Sequence, residues 1–490
     1  MDSAVLKSIR ENSTFEAKKA AGGVPQSLRE TYSSFANTYG GTIVLGIEET
    51  SGGSFDVIGV LDAERYVKDI WDTLNNRNKV NKNILSNTNV RIESIEGKSL
   101  VIMDIPRAKR EDKPIFINND ILNGTYRRNG ESDYRCSEEE VRLMLRDASS
   151  QPLDLAVLEK MSLDALCPDT IAKYRRRLEG VKPDLSWNSL SDEQFLYRLN
   201  AIGKHDGDGV FHPTVAGLLM FGYHYEIVKE CPYYLLDYRE ETDPNTRWVD
   251  RIVSDAATWS GNVFDLYSAV VPKLEFALKV PFKLEGMVRV DDTPVHQAVR
   301  ESLVNALVHA NYYERQGVVI IKGRDFYTFS NPGVLRIPVG DAVAEGISDP
   351  RNLSVLTMFT LLNIGERAGT GLSNIYSVWK HQGWDEPRLT ESFNPERATL
   401  RLMLHPITST EKKVAIRNIG KKTAEQRRLI LEYVKLHGVC DNAEICNLLG
   451  VKESRARILL AEMVEDSLLV AEGERKNRVY REQYGVIHVF

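Results

Sequence analysis

Cysteine is scarce in this 490-residue chain. Its five copies, Cys136, Cys167, Cys231, Cys440 and Cys446, include no CxxC pair. That pattern excludes a disulfide framework or a cysteine zinc site and predicts a cytoplasmic location. Long hydrophobic runs are missing too. The most apolar stretches, 216–222 and 353–362, are too short or too polar to cross a bilayer, so no membrane partner is expected. The opening Met1-Asp2-Ser3 lacks the basic and apolar regions of a secretory signal. Excess positive charge is also absent, since the formal net charge is −6, so the whole chain is not a basic nucleic-acid binder. The charge is uneven, however. From residue 411 onward there are 15 Lys/Arg against 12 Asp/Glu, a balance of +3 that leaves −9 on the rest. A mildly basic tail on an acidic body is compatible with nucleic-acid contact.

What is present is the composition of a folded chain, 42% hydrophobic and 27% charged. The length suggests about three or four domains. Residues 1–150 read as an α/β domain: 27–37 has helical spacing, 42–48 is a β-branched strand, 99–105 is a second strand, and Ser137 with three glutamates starts a helix. Residues 151–290 read as a connecting domain with helices at 169–179 and 192–199 and a buried segment at 214–221. Residues 291–406 form a coherent α/β unit, with a helix near 296–310 and strands at 317–323 and 326–330. A Lys-containing linker, 407–422, precedes a helical segment, 423–490.

Two features of 291–406 point to nucleotide chemistry. Asn305 follows Glu301 by four residues, so both side chains share a helix face. An amide oxygen can ligate Mg²⁺ there while a carboxylate positions an attacking water. Downstream, Gly369-Thr-Gly371 stands directly before a helix, where exposed N–H groups can hold phosphate oxygens. Each alone also fits an ordinary solvated face or a tight turn; the combination is more specific.

Glu301-Ser-Leu-Val-Asn305-Ala-Leu-Val-His309, then Asn331-Pro332-Gly333, Ser348-Asp-Pro-Arg-Asn352 and Gly369-Thr-Gly371 together resemble a divergent GHKL-type ATPase domain. That family is shared by gyrase, the large heat-shock chaperones, histidine kinases and MutL. The resemblance implies an α/β sandwich that binds ATP with Mg²⁺. Glu301 would activate water, Asn305 would hold the metal, and Gly369 and Gly371 would line the phosphates. The family's first glycine box carries an aspartate that reads adenine. Here Asn331 and Gly333 occupy that stretch, and an amide is a different partner from a carboxylate.

The N-terminal stretches Glu11-Asn-Ser-Thr-Phe-Glu16-Ala-Lys18 and Phe35-Ala-Asn37-Thr-Tyr-Gly40-Gly41-Thr-Ile-Val-Leu-Gly46-Ile-Glu48 resemble the AlbA-like domain of Schlafen proteins. The resemblance implies nucleic-acid binding, of DNA or RNA. In some members it implies cleavage, with Glu11, Glu16 and Glu48 holding Mg²⁺ or Mn²⁺ and Lys18 stabilising a phosphate. Glu16 with Lys18 also fits an ordinary salt-linked pair on one strand face, and Glu49 competes with Glu48 for the third position. Arg127 and Arg128, beside Tyr126, are candidates for phosphate and base contact.

The last segment resembles a winged helix-turn-helix, with helices at 424–438, 442–449 and 453–465 and a wing at 470–480. It places Arg455 and Arg457 where a groove-reading helix begins, and Lys476 and Arg478 on the wing; docking or dimerisation is the competing role. The expected fold class is therefore multidomain α/β and α+β: an AlbA-like domain, a GHKL-like sandwich and a winged helix. The expected function is a nucleotide-gated nucleic-acid-binding regulator and homo-oligomer. The alternative is a metal-dependent Schlafen-like endonuclease in antiviral defence.

Overall fold

The N-terminal sheet forms because short β-branched segments alternate between two apolar faces. In the computed structural model, β1 (Phe15–Lys18) runs parallel to β2 (Gly41–Leu45), and α1 (Leu28–Asn37) connects them. After α2 (Ala63–Leu74), β3 (Val90–Ile95) and β4 (Lys98–Ile105) complete a sheet of order β1-β2-β4-β3. Ile43, Leu45, Val101 and Met103 pack with Tyr32, Phe35 and Ile70 on one face. Val44, Leu100 and Ile102 join Phe15, Ile47 and Phe55 on the other. Gly40 makes the entry to β2 possible: its φ is +78°, and a Cβ there would lie 2.7 Å from the Ile105 carbonyl oxygen.

The structure describes residues 12–50, 55–205, 207, 209–243, 246–276, 278, 283–285, 288–290, 292–343, 347–365, 370–404, 426–427, 429–431, 433–434, 438–465, 469–472 and 479–482. The chain divides into two compact units, the second comprising 109–111 and 146–406.

That second unit corrects the expected boundary at 290–291. Strands β5 (Leu236–Glu241) and β6 (Asp250–Val253) come from the presumed connecting domain. They enter one six-stranded sheet with β7 (Val318–Gly323), β8 (Phe326–Pro332), β9 (Arg388–Phe393) and β10 (Glu396–Met403). The order is β6-β5-β7-β8-β10-β9, with only β5 and β7 parallel. A single core runs from Ala165 to Leu402, taking in Tyr174, Phe221, Phe264, Leu303, Phe359 and Trp379. Leu236 and Tyr238 share their core with Val318 and Ile320 of β7, and the described residues of 151–290 form no separate core.

Three helices matter for the site. The first, α3 (Glu138–Asp147), ends at Asp147. The second, α4 (Pro294–Val308), starts with a Thr293–His296 capping box and Pro at its first turn. It buries Val295, Ala298, Val299, Leu303, Val304 and Leu307 and leaves Glu301, Asn305 and His309 as a half-buried stripe. The stripe follows from the four-residue spacing. The carbonyls of Val308 and Ala310 are closed by the Asn352 amide at 2.9 and 2.8 Å. The third is α6 (Gly371–Gln382), which follows α5 (Leu353–Leu361).

In the C-terminal segment, α7 (Asn442–Leu449) and α8 (Glu453–Glu465) turn at Gly450, and β11 (Leu469–Glu472) pairs antiparallel with β12 (Val479–Glu482). Ile430, Leu431, Ile445, Leu459, Leu460, Leu469 and Tyr480 share one core. Among the described residues no helix is long and apolar enough to cross a membrane.

Candidate functional site

A cleft with a cavity volume of about 110 Å³, open to solvent, lies between α4 and the sheet. One end is apolar, lined by Leu335, Ile337, Ala342, Ile347, Leu389 and Leu400, with Asn331 beside them. At the other end stand Glu301, Asn305 and Gly371. A second cavity of about 470 Å³ begins there. It is lined by Glu301 and Gly371 again, and by polar side chains including Gln297, Asn363, Thr370, Ser373 and Asn374. Two chambers, one apolar and one polar, thus meet at Glu301 and Gly371.

The junction is tight. A Cβ on Gly371 would stand 2.2 Å from Glu301 Oε1, so the Glu301 carboxylate rests against the first turn of α6. That position suits a carboxylate, because unsatisfied N–H groups and the helix dipole favour negative charge. The Asn305 carboxamide makes no hydrogen bond among the described residues, so it is available to a ligand. Gly369, expected beside the phosphates, lies outside the described residues.

Asn331, next to last in β8, is paired with Ala398 and is only 6% exposed. Its Nδ2 donates to the carbonyl oxygens of His309 (3.4 Å) and Pro332 (3.2 Å). The donor half of the amide is therefore committed, and Oδ1 remains as an acceptor at the cleft wall. Gly333 has a different job from the one expected. It does not line the cleft; its φ is +87°, and a Cβ there would meet Arg351 Cζ at 2.9 Å.

Arg351 belongs to a group whose role the sequence reading missed. Its guanidinium donates to the His309 carbonyl (2.9 Å), the Val334 carbonyl (2.7 Å) and Asp147 Oδ2 (3.2 Å). Arg336, on the cleft wall, places Nε and Nη2 on Asp147 Oδ1 at 2.9 and 2.6 Å and Nη1 on Asp349 at 3.2 Å. Arg110 donates to Asp349 (2.5 Å) and to the carbonyls of Asp147 and Ser149. Burial works against charge on Asp147, but the Arg351 and Arg336 guanidiniums outweigh it and hold the carboxyl below its usual range. Desolvation in the cleft wall, followed by the Arg351 and Arg336 charges, pushes His309 down to about 4, so the ring is neutral at physiological pH. Asp349 and Arg351 sat inside a motif quoted from the sequence. Asp147, some two hundred residues earlier, carried no signal at all.

The N-terminal candidates are arranged otherwise than expected. Glu16 accepts from Lys18 (2.8 Å) and Arg128 (2.7 Å), and Arg128 also holds Asp133 at 3.0 Å. The Arg128 side chain is 1% exposed, stacks 5.1 Å from the Phe35 ring, and ties down the Asn12 carbonyl. Arg127 is buried too, 3.3 Å from Glu140. These two arginines hold the domain together instead of facing nucleic acid. Glu48 pairs with Lys19 at the surface, 2.8 Å away. Among the described residues no group of three or more His, Cys, Asp or Glu is arranged to hold a metal. Glu11 lies outside the described residues.

In the C-terminal module Arg457 is exposed and pairs with Glu453 one turn away (2.6 Å), while Arg455 is half-buried. Lys476 and Arg478 lie outside the described residues.

Comparison with known proteins places a Schlafen, AlbA_2 family model on residues 11–137 and a domain of unknown function, DUF8451, on residues 142–237. Among solved structures, the DIP2311 protein from Corynebacterium diphtheriae aligns over 96% of this chain and 92% of its own, at 17% identity and a TM-score of 0.41. The N-terminal domain of a protein from Nitrosomonas europaea, described as related to the ATP-dependent DNA helicase RecG, covers 27% of this chain and 88% of its own. Its identity is 28% and its TM-score 0.22. No curated protein matches.

Proposed function

We propose that this chain, which carries an N-terminal Schlafen AlbA_2 domain, is an ATP-binding, nucleotide-gated nucleic-acid-binding protein with a GHKL-type site in its second unit. The carrying observation is the pair of chambers meeting at Glu301 and Gly371, apolar on one side and polar on the other. A nucleotide has that polarity. The base fits among Leu335, Ile337 and Leu400, where Asn331 Oδ1 accepts from an exocyclic amine. The phosphates extend past Asn305 towards the first turn of α6. Asn305 supplies an oxygen to Mg²⁺, and Glu301 is the group to orient water if the nucleotide is hydrolysed.

Nucleic-acid work is supported by the AlbA_2 match. The helix-turn-helix with its β11–β12 hairpin fits a winged helix, with Arg457 able to exchange its weak surface pair for phosphate. In this reading nucleotide shifts a regulator, acting as a homo-oligomer, between states that bind DNA or RNA differently. The ion-paired Glu16 and Glu48 do not favour the nuclease alternative. ATP binding by the full chain, with loss on Asn305→Ala, is the test.

A further inference from the structure

The base end of the cleft is held from outside its own motif. Asp147 is the last residue of α3, yet its two carboxylate oxygens divide between the two arginines that shape this wall. Oδ1 holds Arg336, which lies between Leu335 and Ile337 on the apolar chamber. Oδ2 holds Arg351, which donates to the His309 carbonyl, and that carbonyl is one of the two acceptors orienting Asn331. One carboxylate thus holds a residue of the chamber wall directly and reaches the amide that reads the base through Arg351 and the His309 carbonyl. Arg110 anchors the same turn through the Asp147 and Ser149 carbonyls, and its guanidinium also reaches Asp349 at the cleft.

We infer that Asp147 is a positioning residue for base recognition, and that nucleotide binding and the closure of residues 147–149 onto Arg336, Arg351 and Arg110 are one coupled equilibrium. The inference rests on the nucleotide reading above. Its physical basis is reciprocity: if a docked Asp147 raises affinity for nucleotide, bound nucleotide must hold Asp147 in place by the same factor. Release of the Asp147 carboxylate from the two arginines then releases the nucleotide, which makes this turn a regulatory handle on the cleft.

The test is calorimetric titration of Mg·ATP and Mg·GTP into the full chain, its Asp147→Asn variant and an Asp154→Asn control. Asp154 caps α5 through the Ser354 and Val355 amides, so its loss destabilises the same unit without touching the arginines. Asp147→Asn is expected to weaken ATP about 5-fold or more and to narrow the ATP/GTP ratio, because Asn331 loses its fixed orientation. Asp154→Asn should leave that ratio unchanged. Asp147→Asn with an unchanged ratio overturns the inference while leaving nucleotide binding standing. No ATP binding by the wild type overturns the functional reading itself. Should Asp147→Asn fail to fold, hydrogen exchange on the wild type decides: ATP is expected to slow exchange at 147–151, and identical exchange with and without ATP refutes the coupling.

Discussion

Replacing Asn331 with the aspartate typical of the family it resembles should damage this protein. In the structure Nδ2 of Asn331 faces two carbonyl oxygens, 3.4 Å from His309 O and 3.2 Å from Pro332 O. Asn331→Asp turns both contacts from donor–acceptor into acceptor–acceptor at a site only 6% exposed. Each hydrogen bond is worth about 1 kcal/mol net, and both are long, so their loss alone costs roughly 1–2 kcal/mol. Burying the new carboxylate adds to this, tempered by Arg351 on the same His309 carbonyl, for an expected total of about 2–3 kcal/mol at neutral pH. The folded-state pKa of that carboxyl is raised above its unfolded value. The deficit is therefore small below about pH 4 and grows as pH rises. Urea unfolding read by hydrogen exchange at 294–308 and 326–332 scores this unit without assuming that the whole chain unfolds in one step. A variant as stable as wild type at pH 7.5 that also binds ATP more tightly would refute the assigned amide orientation.

Arg128→Ala should unfold or severely loosen the N-terminal domain, since removing one partner from a buried ion-paired group costs about 3–5 kcal/mol. Protease resistance of residues 12–137 is the readout, and a fully resistant variant with weaker nucleic-acid binding would show that Arg128 contacts nucleic acid after all. His309 predicts acid sensitivity: with a folded pKa of about 4 against an ordinary 6.5, the unfolded state binds more protons between those values. Stability therefore falls as pH drops through that window. The full shift corresponds to roughly 3 kcal/mol, and the half-buried ring in an open cleft reduces this to about 1–2 kcal/mol. His309→Gln should flatten the stability–pH curve from pH 6.5 to 4.5, and an unaltered slope would assign the acid loss elsewhere.

Much of the local structure was legible because it follows from periodicity. The spacing in 296–310 and the apolar pattern around it specify α4, and four-residue separation alone puts Glu301 and Asn305 on one stripe. Helices α7 and α8 have the expected bounds because Asp441 and Gly450 mark the first helix, and the acidic start at Glu453 marks the second. What was hidden depends on long-range pairing. Nothing local in 236–241 says that it will run parallel to 318–323, so the sheet was cut at a false boundary. Arg128 read as an exposed cation because its burial depends on Glu16 and Phe35 arriving from far away in the chain, although its other partner, Asp133, and the Arg127 partner, Glu140, lie close by in sequence. Asp147 was invisible for the same reason: a helix-terminal aspartate acquires meaning only when Arg336 and Arg351 fold against it.

The central claim, that the junction of the two chambers binds Mg·ATP through Asn305, is tested most directly by calorimetric titration of wild type and Asn305→Ala, with melting curves confirming that both are folded. The wild type is expected to bind one ATP per chain in a Mg²⁺-dependent manner, and the variant to lose that binding. Undiminished Mg²⁺-dependent affinity in a folded Asn305→Ala variant would contradict the account.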